Sequence, residues 1–216
     1  MKWYALSVQT GEENKAKLFL QNKFDQHVLQ CLVPKRLVPE RKNGEVYHAV
    51  KLIFPGYLFI RTHMTFKLYY EIKKTPRVLS LLSYLNPKDR CCDWSKKSIS
   101  NMGDSVDEDT FFKNVPDDEM SQILKLLDDK GMLSYSQVVV QESEVFVQSG
   151  PLTGMESMIK KIDKRKKRAK VSIHFLDSDK VIDVGIDVIS SPSITEQSQN
   201  NRLGGTSIGG FENSGN

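Results

Sequence analysis

The chain has 216 residues, 27% of them charged and 39% hydrophobic, an ordinary balance for a globular protein with room for one or two small cores. Its formal charge is only +4, and that charge is concentrated: Lys160 to Lys170 holds eight Lys/Arg against Asp163 alone, and elsewhere acids slightly outnumber bases. No stretch approaches the roughly 20 apolar residues of a membrane span, and the first residues lack the apolar block of a signal peptide, so a cytoplasmic protein away from membranes is expected.

In chain order, "KWYALSVQT" alternates as a strand, and "GEENKAKLFLQNKF" follows as a helix with Thr10 or Gly11 near its cap. "CLVPKRLVPERKNGEVYHAVKLIFPGYLFIRTHM" is extended around an Asn43-Gly44 turn, with prolines 34, 39 and 55 confining its strands to edges, ends or bulges. "TFKLYYEIKKTP" is a second helix stopped by Pro76, and "RVLSLLSYL" returns to the sheet. The β-α-β-β-α-β order predicts an α+β sandwich, an antiparallel sheet with helices packed on it. Residues 86–115 are polar and aperiodic, while "PDDEMSQILKLLDDKG" reads as a helix with Met120, Ile123, Leu124 and Leu127 on one face and a stop at Gly131.

From Ser136 the period becomes two, through "QVVVQESEVFVQS", "RAKVSIHF" and "KVIDVGIDVI". Ala169, Val171, Ile173 and Phe175 face one way, and Lys170, Ser172 and His174 the other. These short strands predict a small β-barrel. The basic run, preceded by "GPLTGMESMI" and followed directly by a barrel strand, is expected to be a loop between strands, where a fold would hold those charges close together. The segment after Pro192, rich in Ser, Gly, Asn and Gln, is expected to be disordered.

Catalytic and metal chemistry find little support. The adjacent Cys91-Cys92 and lone Cys31 make no disulfide framework, the four histidines have no ligand spacing, and "GGTSIGG" lacks the GK[ST] ending of a phosphate loop. No enzyme, cofactor or metal site is expected. The basic run instead points to a polyanion, with Lys160, Lys161, Lys164, Arg165, Lys166, Lys167, Arg168 and Lys170 as the nucleic-acid contacts.

"WYALSVQTGEENKAK", "IFPGYLFI" and "PRVLSLL" together resemble the N-terminal domain of the NusG family of transcription elongation factors. "VFVQSGPLTGMESMIKKIDKRKKRAKVSIHF" resembles its KOW module, an SH3-like barrel. "GPLTGME" followed by the basic run is most similar to the LoaP branch, processive antiterminators of selected operons. The resemblance implies an N-terminal domain over 1–131 (with the irregular 86–115 inside it), a linker or barrel start at 132–143, a KOW domain over 144–190 and a tail over 191–216. It also implies a monomer that docks the clamp helices of RNA polymerase through Tyr57 and Phe59, with Phe54, Tyr4 and Val78 beside them. The basic loop would contact nucleic acid, an RNA hairpin by analogy. The alternative is a general coupling factor whose barrel binds a ribosomal protein or a termination factor.

Overall fold

The computed structural model describes residues 1–82, 112–141 and 144–189. Most of 86–115, Cys91-Cys92 and the 191–216 tail lie outside these residues. Four strands form the N-terminal sheet: β1 (Lys2–Val8), β2 (Leu29–Leu32), β5 (Tyr57–Thr62) and β6 (Val78–Leu81), in the order β2-β5-β1-β6 with every pairing antiparallel. The helices α1 (Glu13–Lys23) and α2 (Phe66–Lys73) connect them. The fold is mostly sheet with few helices, as the α+β reading expects.

Period-two alternation divides this sheet into two apolar faces. The register sets Tyr4 beside Ile60 and Leu6 beside Leu58. These side chains pack with Ala16 and Leu20 of α1 and Ile72 of α2 in one core. Ala5 pairs with Phe59 and faces the other way, into a second core. A buried carboxylate ties α1 to the sheet: Glu13 Oε1 accepts the Gly11 and Gly56 backbone N–H groups at 3.0 and 2.7 Å. Helix α1 thus begins at Glu13, with Glu12 as its N-cap next to the Gly11 read as near the cap, and is held by its first residue.

Strands β3 (Lys35–Lys42) and β4 (Glu45–Leu52) form a hairpin closed by Asn43 and Gly44 at φ of 54° and 86°, the left-handed pair that a two-residue turn requires. The short β7 (Met132–Leu133) joins β3 in parallel, but only at Lys35 and Arg36. Pro39 therefore lies where β3 has no second neighbour, the edge position expected of a strand proline.

Helix α3 (Asp117–Lys125) is shorter than its sequence suggests. Asp128 Oδ1 accepts from the N–H groups of Lys130 and Met132, so an Asx turn replaces a further helical turn. Met120 and Ile123 are buried, whereas Leu124 is exposed.

The remaining strands make a five-stranded sheet in the order β10-β11-β12-β8-β9. They are β8 (Ser136–Gln141), β9 (Glu144–Ser149), β10 (Ile159–Asp163), β11 (Arg168–Phe175) and β12 (Ser178–Val188). Ala169, Val171, Ile173 and Phe175 are wholly buried, as their alternation indicates. One core runs from this sheet through α3 to Ala5, Phe54 and Phe59 of the N-terminal layers.

Candidate nucleic-acid interface and apolar docking face

The basic run is not a single loop. Lys160 and Lys161 stand on β10, Lys164 to Lys167 make the turn, and Arg168 and Lys170 belong to β11. The half-buried Ile159 and Ile162 supply β10 with apolar anchors between the lysines, a pattern that the density of charge hides in the sequence. Asp163, the lone acid, accepts the Lys166 N–H at 2.9 Å and shapes the turn, and Lys167 adopts a φ of 51°.

The eight cations have different tasks. Arg168 donates through Nε to the Pro39 carbonyl at 3.0 Å and through Nη2 to the same oxygen, with Glu40 and Asp183 carboxylates 3.7 and 3.9 Å away. It is a strap onto the β3–β4 hairpin rather than a free contact. Lys170 lies 3.5 Å from Asp183, Lys166 3.9 Å from Asp163 and Lys167 4.0 Å from Asp187. Such exposed pairs contribute at most about 1 kcal/mol each and exchange readily for a phosphate. Lys160, Lys161, Lys164 and Arg165 are exposed and make no ion pair among the described residues.

Further polar contacts hold the hairpin to the C-terminal sheet. Arg36 Nη1 donates to the Asp183 carbonyl at 2.6 Å, and burial lowers its affinity for the proton. His48 Nδ1 and the Tyr135 hydroxyl share a 2.7 Å hydrogen bond. Burial, then the Asp187 carboxylate, pushes the Tyr135 phenol up, so it stays protonated. The Tyr135 ring sits over Gly185, where an added Cβ would come within 2.6 Å of it and 2.9 Å of the Leu37 carbonyl. Glycine there permits β12 to approach both.

The predicted docking residues separate into two groups. Phe54, Tyr57 and Phe59 cluster around Phe175, with ring centroids 4.7, 5.6 and 5.2 Å from it. Tyr4 and Val78 lie in the other core, with the α1–α2 helices. In this arrangement Phe59 and Phe54 are buried and Tyr57 half-buried. The aromatic residues read as docking anchors are therefore covered in this arrangement, because β11 packs Phe175 against them.

The cover is fastened at its tip. Phe175 precedes a two-residue turn, Leu176-Asp177, with both residues at φ of 54°. The Leu176 N–H reaches the buried Glu119 Oε2 of α3 at 3.2 Å. Beside it, His174 Nε2 stands 3.9 Å from Glu119 Oε1 and Nδ1 2.9 Å from Asp179 Oδ1. The hydrogen bond to Asp179 raises the His174 pKa; desolvation opposes this, and Glu119, Asp179 and Asp177 add to it. Glu119, His174 and Asp177 offer one ligand-type atom each within 4.8 Å, a grouping their distant sequence positions conceal. Elsewhere, burial pushes the Cys31 thiol up to about 12, which makes it inert near neutrality.

No helix among the described residues is long and apolar enough to cross a membrane. Residues 1–103 match the family described as "NusG: Transcription termination factor nusG". The transcription termination/antitermination protein NusG of Chlamydia trachomatis is 34% identical over 86 residues, 38% of this chain and 47% of that protein. Its namesake from Staphylococcus aureus strain N315 is 29% identical over 82 residues, 36% and 45% of the two chains. The chain thus spans about half the length of the curated relatives it matches. A solved structure described as "Domain interaction in Thermotoga maritima NusG" aligns with 85% of this chain and 93% of that one, at 16% identity and a TM-score of 0.39. Over residues 1–103, then, this chain is similar to the NusG family and to termination/antitermination proteins of that name.

Proposed function

We propose that this chain regulates transcript elongation by docking RNA polymerase, without covalent chemistry, and promotes processive antitermination of selected operons in the manner of LoaP-type factors. The observation that carries this reading is the aromatic cluster of Phe54, Tyr57 and Phe59, on the segment similar to NusG. Aromatic side chains of this kind bury large area at low entropic cost and anchor interfaces. The N-terminal domain (1–131) would present them to the polymerase clamp helices. Residues 144–190, read as a KOW barrel of SH3 type after the 132–143 linker, would present the Lys164–Lys167 turn to nascent RNA.

Because Phe175 covers the aromatic cluster, docking there requires the β11–β12 tip to leave. The apparent affinity for polymerase is then the intrinsic one scaled by the fraction of uncovered molecules. Binding of the intact chain to core polymerase tests this. Tyr57→Ala should weaken binding, and Phe175→Ala, which loosens the cover, should strengthen it. Wild-type affinity in both variants would defeat the docking assignment. Replacing Lys164, Arg165 and Lys167 by alanine should abolish RNA binding and antitermination while sparing polymerase binding. Antitermination that survives this change would favour the coupling role, with a ribosomal protein or termination factor on the barrel.

A further inference from the structure

A cleft of about 500 Å³ lies between the β3–β4 hairpin and the β10–β11 turn. Arg41, Val46 and His48 line one wall, and Arg165, Lys166 and Lys167 the other. We infer that the nucleic-acid site is composite: a strand's phosphates enter this cleft and are gripped by Arg41 from the N-terminal side and by Arg165 to Lys167 from the C-terminal side. This rests on the nucleic-acid role of the basic turn proposed above, and adds the second wall and its consequence.

Four observations carry it. Five Arg/Lys, Arg168 among them, line the cleft against one carboxylate, Asp187, which Lys167 already faces. Arg41 and Arg165 are exposed and lack an ion pair among the described residues, so both guanidinium forks are available. A guanidinium fork matches phosphate oxygens in two-bond geometry. The walls are also held together without using those two groups, by Arg168 on the Pro39 carbonyl and Arg36 on the Asp183 carbonyl. Like charges held apart by a braced frame repel, and a polyanion between them relieves that repulsion. Val46 and the edge-on pair of His48 and Tyr135, with centroids 5.2 Å apart, give the cleft a partly apolar lining against which a base can lie.

The consequence is a linkage. A strand that touches both walls binds the packed arrangement better than the separated one, so nucleic acid stabilises the packing that covers Phe59. Occupation of the cleft and uncovering of the aromatic face oppose one another by the same factor in both directions. After separation only the turn's own cations remain to hold the strand.

The test is fluorescence anisotropy on the intact chain across a salt series, with a labelled 20-nucleotide RNA hairpin and a single-stranded DNA of the same sequence. Arg41→Ala should weaken both probes about tenfold and lower the salt slope by about 1, as the loss of one phosphate contact requires. Because Arg41 is exposed and outside the core, its melting temperature should not change. Wild-type affinity and slope for Arg41→Ala, with binding lost in the Lys164/Arg165/Lys167 alanine variant, would overturn the composite site and leave the basic-turn reading standing. Wild-type binding by both variants would overturn both.

Discussion

The two faces of the N-terminal sheet are alike in chemistry and differ in what covers them. On one, Leu6, Leu58 and Ile60 are roofed by α1 and α2, connections between the sheet's own strands. On the other, Phe54, Tyr57 and Phe59 are roofed in part by Phe175, from near the far end of the chain. A local roof cannot leave without dismantling the layers beneath it. A remote roof can depart as a unit, because few covalent constraints hold it and its departure restores conformational entropy. The difference teaches that burial in a closed arrangement does not by itself distinguish a permanent core from a covered binding surface. Where the cover comes from along the sequence is the better guide.

The sharpest way to break this comparison is to damage each roof. Phe175→Ala should cost about 3–5 kcal/mol of packing. Its urea unfolding should separate into two transitions, with the N-terminal layers surviving the first. Leu20→Ala, at about 2–5 kcal/mol on the local roof, should lower the stability of those layers as one unit. A single cooperative transition in Phe175→Ala, matching Leu20→Ala, would erase the distinction. Next in size, Glu119→Ala removes the acceptor of the Leu176 N–H and should cost about 1–3 kcal/mol, with faster hydrogen exchange at Leu176 than at β1 amides. Asp177→Gly acts in the opposite sense. It relieves a left-handed φ of 54° in the hairpin turn and should stabilise the tip by about 0.5–1 kcal/mol, seen as a raised melting temperature.

The smallest effect is a pH dependence confined to the remote roof. His174 has a folded pKa above its unfolded value near 6.5, first through Asp179. Its contribution is therefore fully present below pH 6.5 and is lost as pH rises through the raised value. Being exposed and screened, it should appear only as a shallow decline in melting temperature above pH 6.5. His174→Gln should flatten that decline, and a slope unchanged in this variant would remove His174 from the fastening.

Much of this arrangement is legible in the sequence. The alternation from Trp3 to Val8 sorts residues between the sheet's two faces, that from Ala169 to Phe175 specifies which are buried, and Asn43-Gly44 specifies its turn. What alternation cannot specify is which surface meets which. Phe175 reads only as the last inward residue of a strand, with no sign that its ring lies among Phe54, Tyr57 and Phe59. Arg168 illustrates the same limit: within a run of cations it resembles its neighbours, and only the free edge of β3 at Pro39 reveals its different partner. Glu13 and Glu119 look like ordinary helix N-terminal acids, yet each is buried over backbone amides from elsewhere. Strand β10 is hidden for a compositional reason, since Ile159 and Ile162 sit among the lysines that crowd the run from Lys160 to Lys170.

The remoteness of Phe175 also has a meaning in time. A ribosome adding 5–20 residues per second needs roughly 5–19 s to travel from Leu81, where β6 completes the N-terminal sheet, to Phe175. For that interval the newborn chain possesses the sheet's strands but not yet their second cover, and its aromatic face is open to whatever lies nearby. A chain still being synthesised thus passes once through the uncovered state that the finished molecule can revisit only by working its β11–β12 tip loose.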